Sequence, residues 1–408
     1  MIKKIIIVFV LCYVSSSALS QKTRKYTVIL RSNVGTINLW DGSSTRTFGF
    51  APSLSAESTL PALTLYAEEG DTVIITARSI SQGEHHTIHL HGLDVDTRND
   101  GDPATSFWLS HGETTTYTFI ARHAGSYLYH CHVGDVVHVQ MGMYGMIVVS
   151  AAGGAKTVWT GGPAFDKEYR WLTSEIDKSW HDNVPKHDTL ADTIHLPPYR
   201  PNYFLVNGKS RQQIKSDTSI SITSATKVKI LLRLANIGFY DNKITFPASL
   251  QATVVMSDGR PLPNAVRSGT VSVSPGERYE VLLEPKTELI DSVRIQYVNM
   301  NTHQVKAEEF VPVTIVSQGV QDLTADEAVI PPYPNPAHDF CIVGKGLEKH
   351  VSVTFELVND IGVKMFADVA PFEDGYKLNV RNLPSGTYTV SIRSGKTLLQ
   401  RIPIIVSH

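Results

Sequence analysis

Short runs in which apolar side chains alternate with polar ones recur along the chain, beginning with YTVILRS (26–32), DTVIITARS (71–79), TTYTFIAR (115–122) and YGMIVVS (144–150). A period of two marks a strand with one buried face, and many short strands parted by turn residues predict an all-β sandwich or barrel. Helix signals are weak throughout. One such domain is expected over residues 21–152, closing at AAGGAK (151–156), whose small residues suit a linker. A second is expected over 153–317, with strands read from VKILLRLAN, ATVVMSDG, ERYEVLLE, VRIQYVNM and FVPVTIVS. A polar and then Pro-rich spacer occupies 318–332, and a third, small β unit fills 333–408, where Pro384 and Gly386 set a turn in LPSGTY.

The first twenty residues break the pattern. Lys3 and Lys4, an apolar run from Ile5 to Val14 and the small residues SSSALS read as a secretory signal peptide over 1–20. That run is shorter than the roughly 20 residues needed to span a bilayer. Export sharpens the reading of the cysteines: Cys12 leaves with the signal, so only Cys131 and Cys341 could pair, and no disulfide is expected. With 408 residues, 42% hydrophobic content and a formal charge of −2, the chain suits several domains with ample cores and lacks the basic surface of a nucleic-acid binder.

Nine of the sixteen histidines fall between His85 and His138, where an even spread would place about two. They are ordered as HTIHLHG (86–92) and YHCHVGDVVHVQMGM (129–143). Side chains alternate across a strand, so Cys131 points away from His130 and His132, and His86 points away from His89 and His91. If the two strands lie side by side, two sites follow. His86 and Cys131 converge on one face, and His138 and Met143 close that site from the following loop. Two imidazoles, a thiolate and a thioether form the ligand set of a blue-copper centre, and zinc seldom uses Met. On the other face His89, His91, His130 and His132 offer nitrogens to a second copper site. Cys131 is bonded in sequence to His130 and His132, which gives electrons a short covalent route between the sites. The remaining histidines of the region, His85, His111 and His123, lie in polar or turn-like contexts where solvent exposure is expected. Asp94, Asp96, Asp100 and Asp102 follow His91, and one of them, Asp94 and Asp96 foremost, is expected to relay protons to oxygen bound at the second site.

The strings HTIHLHG, NDGDP (99–103), AGSYLYHCH and HVQMGMYG resemble those of two-domain multicopper oxidases of the cupredoxin superfamily, over about residues 25–315. The resemblance implies two cupredoxin-like Greek-key domains, the first holding copper and the second, with FDKEYRWLTSEIDKSWH and YFLVNGKS, copper-free. It also implies that His86, Cys131, His138 and Met143 hold a type 1 copper, and that His89, His91, His130 and His132 stand where type 2 and type 3 ligands stand. The terminal unit resembles the type A sorting domain of type IX secretion, an Ig-like sandwich, which implies export through the periplasm of a Gram-negative bacterium and the secretion machinery as partner. Two departures stand out. The Cys131–His138 loop is longer than is usual in laccases, and the second pair of HxH motifs that would complete a trinuclear cluster is missing. The related copper nitrite reductases, which are trimers, carry an Asp where His89 stands and no His after the cysteine. The expected function is that of an exported copper oxidoreductase passing electrons from a small-molecule, metal-ion or protein reductant to dioxygen. The alternatives are a nitrite reductase-like enzyme, with His303 of a neighbouring subunit in a homotrimer, or a non-catalytic copper protein.

Overall fold

The computed structural model of the chain describes residues 21–81, 83, 85–184, 195–317, 332, 335, 337–344, 353–359, 364–372, 375–394 and 397–408. The expected signal peptide and residues 318–331 of the expected spacer lie outside them. Two compact units divide the chain, 1–315 and 316–408.

Within the larger unit the alternating runs form two successive β-sandwiches. The first contains β1 (Thr23–Asn38), β2 (Ser44–Ala51), β3 (Leu65–Glu68), β4 (Thr72–Ser79), β5 (His89–His91), β6 (Thr114–Ile120), β7 (Gly125–His130) and β8 (Tyr144–Ser150). One sheet runs β2-β1-β4-β6 and the other β3-β8-β7-β5. Their inner faces meet through Leu30, Phe48, Ile75, Tyr117, Tyr127, Tyr129 and Ile147, the large apolar side chains that the alternation placed on a single face. Burial of this kind contributes about 25 cal/mol per Å² of apolar surface and is what fixes the strand register.

The second sandwich comprises β9 (Lys167–Ile176), β10 (Tyr203–Val206), β11 (Ile222–Ala225), β12 (Ile230–Asn236), β13 (Asp241–Thr245), β14 (Thr253–Ser257), β15 (Arg260–Arg267), β16 (Thr270–Val273), β17 (Arg278–Leu283), β18 (Leu289–Val298) and β19 (Val305–Val316). Its sheets run β10-β9-β12-β17-β14-β15 and β11-β19-β18-β13-β16 around a core that includes Trp171, Leu232, Ile244, Val281 and Tyr297. The two sandwiches share a continuous apolar contact, in which Leu128, Tyr144 and Met146 pack on Leu172, Ala235 and Ile237. That contact explains why all six residues from Trp171 to Ile176 of β9 are buried instead of alternating.

Helix signals were weak in the pattern, and among the described residues three short α-helices form: α1 (Asp135–Met141), α2 (Lys178–Asn183) and α3 (Gln212–Ser216). The segment expected as a loop between Cys131 and His138 is thus corrected to a turn leading into a helix. Glycine sets both ends of α1: Gly134 (φ 55°) precedes it and Gly142 (φ 114°) stops it, in backbone conformations that cost a side-chain-bearing residue energy.

The smaller unit pairs β20 (Phe340–Val343), β24 (Gly375–Asn379) and β23 (Val369–Phe372) in one sheet, and β22 (Lys364–Met365), β21 (Thr354–Asn359), β25 (Gly386–Ser394) and β26 (Thr397–Val406) in another. Cys341 is buried with Leu378, Val390 and Ile404, and both Cys131 and Cys341 are free. No helix of the described residues is long and apolar enough to cross a membrane.

Candidate metal centres

β5 and β7 pair antiparallel with His89 opposite His130, Leu90 opposite Tyr129 and His91 opposite Leu128. Residues directly opposite share a face, so His89, His91 and His130 lie together, and the intervening Leu90 and Tyr129 turn into the core. His86 precedes β5, where its backbone pairs in both directions with Leu109 (3.0 and 2.8 Å).

On the core side, His86, Cys131 and His138 form one buried group whose ligand atoms lie within 4.8 Å of one another. Cys131 Sγ lies 3.2 Å from His138 Nδ1 and 3.6 Å from His86 Nδ1. The turn and α1 return His138 to the thiol, and Met143 is tied to both neighbours by backbone hydrogen bonds: Cys131 donates to the Met143 carbonyl (3.0 Å) and Met143 donates to that of His138 (2.9 Å). Met143 is itself fully buried. Burial pushes the Cys131 thiol up, but the His138 and His86 imidazoles outweigh it and bring the group down to about 5, so at neutral pH the sulfur is a thiolate.

On the other face, His89, His91 and His130 form a second group within the same 4.8 Å limit. His91 Nδ1 and His130 Nε2 are 3.3 Å apart. His130 Nδ1 meets the Cys131 carbonyl (3.0 Å) and His89 Nδ1 meets the Asp100 carbonyl (2.8 Å), which leaves the Nε2 atoms of both rings for the cluster. Burial drives His130 down to about 3, and burial together with the Arg278 guanidinium drives His91 down to about 4, so both are neutral, as a metal ligand must be. His132 adjoins this group. Its ring centroid is 4.9 Å from that of His89 and 5.7 Å from that of His130, with Nδ1 4.0 Å from Asp102 Oδ2.

The acidic residues require a correction. Asp94 is held by Arg260 (2.6 Å) and His123 (3.2 Å), and Asp96 caps Asn99, so neither carboxylate of the expected relay reaches the histidines. Asp100 and Asp102 do: Asp100 Oδ1 lies 3.5 Å from His89 Nδ1, in addition to the carbonyl contact. Gly101, between them, sits at φ 76°, and a Cβ there would fall 2.0 Å from the Ile88 carbonyl oxygen, so the turn admits glycine alone.

Arg278, on β17, was not singled out by the sequence. Its Nη1 pairs with Asp258 (2.8 Å) and donates to the Gly276 carbonyl (2.6 Å), its Nε donates to Ser126 at the start of β7 (3.4 Å), and Gly92 leaves room for its Nη2. It therefore braces the His91 end of β5 against the second sandwich. That sandwich brings no histidine to the cluster among the described residues: His181 lies between the Arg46 and Gln140 carbonyls (2.8 and 2.9 Å), His195 is exposed, and His303 occupies an exposed turn at φ 56°. His187 lies outside the described residues. His85, expected in solvent, is half-buried and stacked on Trp108.

Family models described as multicopper oxidase match residues 44–153 and 175–318, and one described as a secretion system C-terminal sorting domain matches 332–406. Copper resistance protein A of Escherichia coli is 25% identical over 268 residues, 56% of this chain and 42% of that protein. A copper-containing nitrite reductase of Neisseria meningitidis is 31% identical over 136 residues, 33% of this chain and 30% of that protein. The chain thus spans well under half the length of these relatives. Among solved structures, the blue copper oxidase from Nitrosomonas europaea is similar at a TM-score of 0.58 and 26% identity, covering 73% of this chain and 87% of that one.

Proposed function

Because the chain belongs to the multicopper oxidases, cupredoxin-fold proteins that bind copper, and ends in a secretion sorting domain, we propose that it is an exported oxidoreductase that passes electrons from a reductant through a sulfur-ligated copper to a second, histidine-held copper site and on to dioxygen. The observation that carries this reading is the pair of ligand groups on opposite faces of one strand end, joined by the single peptide bond between His130 and Cys131.

The residues fit copper. A buried thiolate with two imidazole nitrogens 3.2 and 3.6 Å from its sulfur is a soft donor set, and the buried Met143 would add a thioether to it. His86, Cys131, His138 and Met143 would hold the first ion, and His89, His91 and His130, with His132 adjoining, the second site. Copper when bound supplies one-electron exchange at the first site and a coordination position for the acceptor at the second. The chain's own part is to fix the ligands before the metal arrives: α1 and its two glycines hold His138 to the thiolate, and the Asp100 carbonyl sets the His89 ring. Asp100 and Asp102, beside His89 and His132, are the carboxylates placed to exchange protons with bound acceptor.

A second reading, nitrite reduction, is favoured by one observation: the three-nitrogen group of His89, His91 and His130 suits a single ion. In either case the histidine face is partly open and, among the described residues, takes no further histidine from its own second sandwich, so a neighbouring copy in a homotrimer would complete it. The division of the chain that goes with this reading is a copper-binding domain over 21–152, a copper-free one over 153–317 and a sorting domain over 333–408. The route is type IX secretion through a Gram-negative periplasm. Copper content with EPR on the purified protein, together with oxygen uptake in the presence of a reductant, tests the reading. More than one copper per chain and oxygen consumption are expected, whereas a single blue copper with no uptake makes the chain an electron shuttle.

A further inference from the structure

Gln140 stands in the last turn of α1, between His138 and Met143, and is buried. Its side-chain amide bonds across to the second sandwich through both of its polar atoms. Nε2 donates to the Glu175 carbonyl (2.9 Å) and to the Tyr199 hydroxyl (3.3 Å), and Oε1 accepts from the Asp177 backbone N–H (2.6 Å). A buried amide is costly unless both of its ends are bonded, and here both are. The Gln140 backbone carbonyl, one of those left over at the end of a helix, lies 2.9 Å from Nε2 of the fully buried His181. The other nitrogen of that ring lies 2.8 Å from the Arg46 carbonyl of β2. α1 is thereby wedged between β2, where Phe48 meets the His138 ring edge-on at 5.9 Å, and the 175–181 segment that runs from β9 into α2. Among the described residues the second sandwich adds no ligand to the sulfur group, yet it holds the helix that carries one.

We propose that Gln140 is a positioning residue through which the second sandwich sets the reduction potential of the sulfur-ligated copper. The proposal rests on the copper reading above and adds to it the part that the second sandwich plays at that site. A helix of seven residues does not hold its shape alone, so the place of α1 is decided by what grips it. His138 and Gln140 are two residues apart on that helix, and a shift of the amide is a shift of the imidazole that lies 3.2 Å from the Cys131 sulfur. Thiolate and thioether sulfur select Cu(I), whereas nitrogen donors also suit Cu(II). A tightly held His138 therefore favours the oxidised ion. A loosened one leaves the sulfur donors to favour the reduced ion, which raises the potential. Gln140 acts on the metal only through the helix.

The test is a redox titration of the copper-loaded whole chain against hexacyanoferrate at a fixed pH, read by the blue absorption. Gln140→Met keeps the length and volume of the side chain and removes its hydrogen bonds. It should move the equilibrium toward Cu(I) by about three- to tenfold, the size of one or two net hydrogen bonds, which is a rise of about 30 to 59 mV at 59 mV per decade. In the copper-depleted protein, amide hydrogen exchange across 135–143 should quicken in the same variant. Tyr199→Phe takes one acceptor from Gln140 and leaves its two bonds to the backbone, so it should shift the potential the same way by less. Ile295→Val weakens the core of the second sandwich itself and should leave both readings at their natural values. An unchanged potential in Gln140→Met, or in Tyr199→Phe where Gln140→Met does not fold, overturns the proposal, as does an equal shift in Ile295→Val. A loaded natural chain with no blue absorption overturns the copper reading instead, and the exchange of α1 then decides on its own whether Gln140 holds the helix.

Discussion

Cys131 and His138 are separated by a turn and the first three residues of a helix, yet their Sγ and Nδ1 atoms lie 3.2 Å apart, while His130, bonded to Cys131, turns its ring to His91 on the other face at 3.3 Å. One strand end thus feeds two ligand groups that do not share a side chain.

The separation of faces sets the outcome of Cys131→Ser. A hydroxyl cannot replace the thiolate, so the intense blue absorption should vanish, but nothing in the His89, His91 and His130 group depends on the sulfur atom. Copper analysis and EPR should show loss of the blue-site ion alone. Loss of all copper would mean that the two groups form one site.

Gly101→Ala should do the reverse. The alanine would have to hold φ 76°, and its Cβ would meet the Ile88 carbonyl at 2.0 Å, a backbone atom with no freedom to retreat. The expected cost is at least about 2 kcal/mol. The strain is relieved by moving the loop that carries Asp100 off His89, so the histidine-site copper should be depleted with the blue absorption retained. Gly112→Ala is the control: its φ is also positive, 84°, but nothing lies within 4 Å of the added carbon. Both coppers should remain in that variant, and equal copper loss in the two would refute the role given to the Asp100 loop.

The two faces were legible because a strand's parity is carried by sequence alone: HLH and YHC can be sorted by odd and even positions. Legibility ended where the strands end. β7 stops at His130, so alternation alone no longer governs His132, whose ring nonetheless comes within 4.9 Å of that of His89. α1 was hidden for another reason. DVVHVQM is rich in β-branched residues that disfavour a helix, and what overrides them is tertiary: two glycines in left-handed backbone and the burial of Val137 and Met141 in the core. Choosing among the four aspartates after His91 was beyond the sequence because that loop has no period; its hydrogen bonds, not its spacing, set Asp100 beside His89 and Asp102 beside His132. Arg278 acts across the contact between the sandwiches, which no local pattern announces.

The sorting unit should be separable from the chemistry. Residues 1–315 and 316–408 are distinct compact units with their own cores. A chain ending at Ser317 should keep its blue absorption and oxidase activity but stay in the cell instead of reaching the medium or the surface. Cell fractionation checks this, and normal release of the shortened chain would remove the sorting role from 332–406.

Glu175 should impose a pH dependence on stability. It is buried on β9 between the sandwiches; the Phe239 backbone N–H and the Tyr199 hydroxyl (3.1 Å) donate to its carboxylate, but burial prevails and pushes the group from 4.5 up to about 7. Between those two values the folded chain keeps a proton that the unfolded chain has released, so stability must fall as pH rises through the window. Glu175→Gln retains an oxygen acceptor and cannot ionise. The variant should match the natural chain near pH 4 and exceed it above pH 7 by a margin on the order of 3 kcal/mol. Glu309, raised to about 7 by burial, keeps its own similar contribution in both proteins, so the difference between the two urea-denaturation profiles isolates Glu175. Profiles that run parallel from pH 4 to 8 would mean that Glu175 is already ionised in the fold.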